Sequence, residues 1–143
     1  MPIRVDFYLL ESSAIDARWL VACRLLEKAY KLGHRVYVHC DHQQDAELLD
    51  ELLWTFKDDS FIPHNLLGEG PYSPPPIQLG HSQAPKGFND ILLNLAHDIP
   101  VFYTQFKRIM ELVSNVESEK EQSRVRFKAY RAKGCQIHTH PLG

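Results

Sequence analysis

Val5-Asp6-Phe7-Tyr8-Leu9-Leu10 opens the chain with a β-prone run in which Val5, Phe7 and Leu9 alternate with Asp6, Tyr8 and Leu10. That is the pattern of a largely buried strand. The residues after it turn helical. From Asp16 to Leu32, Leu20, Cys23, Leu26, Ala29 and Tyr30 recur at three- and four-residue steps, Lys28 and Lys31 fall in the last turn, and Gly33 stands where a C-terminal cap belongs. Arg35-Val36-Tyr37-Val38-His39-Cys40 reads as a second strand. Asp41 then reads as the cap of a helix through Ala46, Leu48, Leu49, Leu52 and Leu53 to Trp54, its early acids at the positive end of the dipole. Strand, helix, strand, helix predicts an α/β fold in which the successive strands are parallel neighbours, within a mostly parallel sheet flanked by helices.

Further along, prolines and glycines punctuate the stretch from Phe61 to Phe88, which reads as surface loops with short extended pieces such as Ile77-Gln78-Leu79. Asp90 to Leu95 is an apolar run of strand length. Arg108 to Val113 reads as another strand, with a helix through Pro100 to Val113 as the alternative that periodicity leaves open. A helix is expected from about Glu117 to Lys133, ended by Gly134, with Gln136 to His140 as an edge strand.

At 143 residues, 44% of them hydrophobic and 24% charged, the chain has the size and balance of one soluble globular domain spanning 1–143. The longest apolar runs, such as Trp19-Leu20-Val21-Ala22-Cys23, fall far short of the ~20 residues a membrane span requires, and Met1-Pro2-Ile3-Arg4 lacks the apolar core of a signal peptide. A cytoplasmic protein with no membrane partner is expected. Cys23, Cys40 and Cys135 are odd in number and form no C-x-x-C, so reduced, mostly buried thiols are expected.

Known chemistries find little purchase. The first strand-to-helix turn, Glu11-Ser12-Ser13-Ala14-Ile15, has no glycine, and Gly68-Glu69-Gly70 is followed by Pro71 with an acid that would repel phosphate. No nucleotide cofactor is expected. His39-Cys40-Asp41-His42 and His138-x-His140 are the densest histidine groups, but consecutive residues leaving a strand point in alternating directions, and metal ligands normally come from separated elements. Without G-x-S-x-G or a recognisable base for Cys40, catalytic and metal residues are expected to be none, and Cys40 reads as a core thiol.

Charge is segregated along the chain. Seven acids lie between Asp41 and Asp59 against Lys57, whereas six bases lie between Lys120 and Lys133 against Glu121. On the last helix, at ~100° per residue, Lys120, Arg124, Phe127, Lys128 and Arg131 fall within an arc of about 100°, with Val125, Ala129 and Ala132 turned to meet the sheet. A solvated helix face is the plainer reading. Phe127 amid cations instead suits a ligand with both negative charge and an apolar group, either an acidic peptide with a terminal aromatic or single-stranded nucleic acid. A second surface, Trp54-Thr55-Phe56 through Phe61-Ile62-Pro63-His64-Asn65, reads either as the closed edge of the core or as a docking patch for a partner subunit.

Several of these stretches are similar to one known family: Val5 to Leu10, Trp54 with Ser60-Phe61-Ile62-Pro63-His64-Asn65-Leu66-Leu67-Gly68-Glu69-Gly70-Pro71, Asp90-Ile91-Leu92, and Arg126-Phe127-Lys128-Ala129-Tyr130-Arg131 with Gly134. Over nearly its whole length the chain resembles the chi subunit family of bacterial DNA polymerase III. The resemblance implies a Rossmann-like three-layer fold without a nucleotide-binding glycine loop, and a non-catalytic, cofactor-free accessory role in DNA replication. It implies pairing with the psi subunit, through which the clamp-loader complex is joined. It also implies binding to the acidic C-terminal tail of single-stranded-DNA-binding protein, and so an indirect link to single-stranded DNA. Carried over by position, the tail site is Lys120, Arg124, Phe127 and Lys128, and the psi-facing region is Trp54, Phe61, Pro63 and His64. Tyrosine often stands in the family where this chain has Phe127, so a hydroxyl contact is absent here. Cys135 to His138 matches the family poorly.

Overall fold

Strand β1 (Arg4–Leu10) buries Val5 and Phe7 toward one face of a sheet and Asp6 and Leu10 toward the other, so both faces must be covered. In the computed structural model, which describes residues 2–14, 16–59, 61–68, 75–83 and 86–142, three helices provide that cover. Helix α1 (Ala17–Lys31) leads to β2 (Val36–His39), and α2 (Gln43–Thr55) to β3 (His64–Leu66). Strands β4 (Ile77–Gly80), β5 (Ile91–Asn94) and β6 (Arg108–Val113) precede α3 (Glu117–Ala132) and β7 (Gln136–Leu142). Gly33 and Gly134, with φ of 84° and 82°, end α1 and α3 in the left-handed conformation that glycine adopts without strain.

The strands form one sheet in the order β3-β4-β2-β5-β6-β1-β7, and every ladder among the described residues is parallel. On one face α1 and α2 pack Cys23, Leu26, Ala46, Leu49 and Leu53 over Val36, Val38, Leu79, Leu93 and Met110. On the other, Tyr130 of α3 joins Val5, Phe7, Tyr37, Phe88, Leu92, Phe106 and Ile109. The result is a Rossmann-like three-layer α/β architecture, as the family likeness implied.

Three local expectations change. β1 and β2 are not neighbours, because β5 and β6 lie between them. Asp41 does not cap α2: His42 occupies that position without a side-chain cap bond, and Asp41 Oδ2 accepts from the His97 amide at 2.9 Å, tying the end of β2 to the loop after β5. His64 to Leu66, read as loop, pairs with β4 as the short edge strand β3. The open alternative at Arg108 to Val113 resolves to strand, since its side chains are buried on both faces between β5 and β1.

The opposite edge is β7. The Gln136 amide donates to Ile3 O at 2.9 Å, so by the two-residue repeat the amides of Gln136, His138, His140 and Leu142 face β1. Pro141 therefore falls at an outward position, where its missing N–H costs no ladder bond and blunts the free edge.

Candidate functional site

Helix α3 does not meet the sheet with the side that apolar periodicity selects. Val125 is 63% exposed and Ala132 exposed, while Ser123, Arg126 and Tyr130 are buried. At ~100° per residue these three lie within about 60° of one another. What they meet is Glu111 of β6, fully buried. Arg126 Nε donates to Glu111 Oε1 at 3.1 Å, and Tyr130 Oη and Asn94 Nδ2 donate to Oε2 at 2.7 and 2.9 Å. Arg126 also donates to Ser123 Oγ at 3.1 Å and to the His97 carbonyl at 2.8 Å. Burial pushes the Glu111 carboxyl upward, against the pull of Arg126 and the two neutral donors. A polar helix face is thus acceptable as the inner face because its partners satisfy it.

That seating puts Phe127 at the border between the buried face and the basic stripe. Its ring rests on Phe7, centroids 5.4 Å apart, and the Arg131 guanidinium lies 5.1 Å from its centroid. Beside it runs a groove of about 690 Å³ with Lys120, Arg124, Phe127 and Lys128 together along one wall. Leu9, Val113, Thr139 and Pro141 contribute the floor and far side. Arg124 makes only a loose pair with Glu117, N to O 3.6 Å, both side chains mostly in solvent, an interaction of small worth. Ser114 also borders the groove, its Oγ buried and without a hydrogen-bond partner among the described residues.

The groove lies at the carboxyl ends of β1 and β6, whose following helices α1 and α3 go to opposite faces of the sheet. In doubly wound sheets this is where nucleotides bind, on a glycine-rich turn. Here the two loops are stitched together instead: Asn115 Nδ2 donates to Glu11 O at 2.9 Å, and its amide to Ser12 O at 3.2 Å. Ile15 of the first turn and Glu69-Gly70-Pro71 of the G-x-G stretch lie outside the described residues.

The second predicted surface is a different object. Trp54 and Phe61 are 48% and 67% exposed, with ring centroids 5.5 Å apart. Pro63 is half-buried. His64 is buried under Trp54 at 4.4 Å, its Nδ1 2.6 Å from Ile62 O and its Nε2 3.2 Å from Asp50 Oδ1. His64 thus supports the patch from beneath, and the aromatic pair forms the surface. Ser60 of the quoted block lies outside the described residues.

Among the remaining candidates, Cys40 is buried, which pushes its thiol up to about 12. His140 is structural: its Nε2 lies 2.7 Å from Asp6 Oδ1, and its ring stacks on Tyr8 at 4.9 Å. Burial alone would push Asp6 up, but bonds from Arg4, His140 and Arg108 outweigh it and hold this carboxyl below its usual range. Among the described residues no helix is long and apolar enough to cross a membrane, and no group of three or more metal-ligating side chains gathers. Sequence reading missed Leu9, Ser114, Thr139 and Pro141, which reach the groove only through strand pairing, and Glu111, whose buried acid sits unmarked in an apolar run. Arg126 stood in the quoted C-terminal stretch with no role assigned.

Comparison with known proteins identifies the family of the chain. Residues 1–138 match the family model described as DNA polymerase III chi subunit, HolC. The chain is 39% identical over 139 residues to DNA polymerase III subunit chi of Pseudomonas aeruginosa, covering 97% of this chain and 96% of that protein. It is 33% identical to the Escherichia coli protein of the same name, over 93% of this chain and 94% of that one. For the Haemophilus influenzae protein, again DNA polymerase III subunit chi, the identity is 32% over 96% of each. With likeness on this scale along nearly the whole chain, the protein belongs to the DNA polymerase III chi subunit family, a family of DNA replication subunits.

Proposed function

We propose that this chain is a non-catalytic adaptor of the DNA polymerase III complex that captures the acidic C-terminal tail of single-stranded-DNA-binding protein on α3 and joins the clamp loader through psi at Trp54 and Phe61. The observation that carries the tail reading is the α3 groove, in which an apolar floor, one aromatic wall and three unburdened or loosely paired cations face the same space. Arg124 grips the terminal carboxylate through two parallel hydrogen bonds, and the last apolar side chain packs beside Phe127. Lys120 and Lys128 draw in the upstream acids.

Stacking of single-stranded DNA bases on Phe127 is the less favoured use of the same wall. The ring rests on Phe7 and carries Arg131 nearby, which leaves little open face for a base. For the second surface, an exposed aromatic pair beside the acids Asp50, Glu51 and Asp58 suits a partner offering an apolar pocket with a basic rim.

Titration of a fluorescent acidic peptide ending in an aromatic residue against the full chain tests the tail reading. Phe127→Ala should weaken binding about tenfold or more, and removal of the peptide's terminal residue should weaken it similarly. Undiminished binding of the truncated peptide, with single-stranded oligonucleotide competing for the same site, would transfer the groove to nucleic acid.

A further inference from the structure

We infer that the acidic peptide proposed for the α3 groove continues past it, crossing the carboxyl end of β1 and β7 into a second groove on the opposite face of the sheet, where Arg24 and Lys28 of α1 take its upstream acids. The inference rests on the peptide reading of the first groove.

The second groove has a volume of about 670 Å³, close to the first. Leu10, Glu11 and Pro141 border both, so the two are continuous around the end of the sheet. Each also keeps one leucine out of the core: Leu9 in the first and Leu20 in the second, both 37% exposed. Helical spacing would place Leu20 with the core residues of α1, yet it faces this groove instead, part of an apolar floor available to a ligand. Charge selects the ligand. Arg24 and Lys28 are exposed, line the groove and lie one turn apart. Glu27, between them in sequence, is held by Lys31 and Lys57. Among the described residues no ion pair engages Arg24 or Lys28. Two free cations beside an apolar floor, reached from a site for an acidic carboxyl end, fit the upstream part of one acidic peptide. Glu11 is exposed at the crossing, so the peptide residues passing Pro141 are uncharged, with the acids beyond them.

Three labelled probes test this on the full chain. One is an acidic peptide of about six residues with an aromatic carboxyl end. The others extend it by about ten residues, ~30 Å when extended, either neutral throughout or neutral first and acidic beyond. At ~0.05 M salt the acidic extension should tighten binding about fivefold over the neutral one. Combined Arg24→Glu and Lys28→Glu should erase that gain while leaving the short probe within about twofold of wild type, a control for folding. A photo-crosslinker in the acidic extension should label α1. An equal gain in the double variant, no gain in wild type, or crosslinks confined to α3 would overturn the inference while the first groove stands. Failure of the short probe to bind wild type would instead remove the reading beneath it, and the second groove with it.

Discussion

The α3 groove and the Trp54–Phe61 patch present opposite solutions to the problem of contact. The groove is concave and basic, and the helix that walls it is seated by a buried polar network at Glu111. The patch protrudes over the acidic helix α2 and stands on an apolar layer, with His64 wedged beneath. A concave site supported by polar bonds suits a chain end, because it can enclose a carboxylate and its neighbouring side chain. A protruding aromatic pair suits a pocket on a partner and needs no depth of its own. The two surfaces should therefore fail in different ways.

The largest effect is expected from Arg126→Met, which leaves Glu111 buried without its cation and should cost about 3–5 kcal/mol of stability in urea unfolding. Pairing it with Glu111→Gln, which removes the unmatched charge but keeps an acceptor oxygen for Tyr130 and Asn94, should recover part of that loss. If the single variant costs less than about 1 kcal/mol, the polar network does not seat α3, and the contrast with the patch collapses. Next in size, Arg124→Glu should lower affinity for the acidic peptide by at least about thirtyfold, roughly 2 kcal/mol or more, with the melting temperature unchanged. Peptide titration beside a thermal scan reads both.

Phe61→Ala inverts this pattern. Its exposure of 67% leaves folding within about 0.5 kcal/mol, while psi binding should fall by about 2 kcal/mol and peptide binding in the groove should not move. A steep drop in melting temperature would make Phe61 core and remove the patch from the comparison. The smallest expected effect is in acid. Asp6 is held below its ordinary value of 3.8 by Arg4, His140 and Arg108, so the stability it contributes is full above that value and is lost as pH falls through its lower folded one. Asp6→Asn should flatten the acid limb of a melting-temperature profile measured down to about pH 2.5. An unchanged limb would show that Asp6 is not what holds β1, β6 and β7 together in acid.

How legible this molecule was depended on what carried each element. Periodicity located α1, β2 and α2, because a buried apolar stripe leaves its mark in sequence whatever surrounds it, while β4 and β5 showed as short apolar runs and the stop at Gly134 marked where α3 ends and β7 begins. β3 escaped because three residues between prolines hold no period, and only β4 makes them a strand. The inner face of α3 was misread for a deeper reason. Val125, Ala129 and Ala132 are its apolar residues, but Arg126 is drawn inward by an acid 15 residues away on another element, and no local pattern encodes that partner. The basic wall of the groove was visible as one helical stripe, whereas its floor comes from Leu9, Thr139 and Pro141, which only the parallel pairing of β1 with β7 assembles. The patch was the more legible surface, since Trp54 and Phe61 are close enough in sequence to be noticed together.

The Glu111–Arg126 pair has a consequence for which way the wall faces. A helix advanced by one residue turns ~100° about its axis, enough to swing Arg124 and Lys128 clear of the groove and bring Val125 and Ala129 round in their place. Apolar packing alone resists such a slip weakly, because small aliphatic side chains substitute for one another at modest cost. A guanidinium inserted between a carboxylate, a hydroxyl and a carbonyl cannot be replaced by its neighbour without leaving charge unmatched. The pair therefore acts as an angular stop, and a chain that lost it while keeping its helix could still fold yet aim its cations at open water.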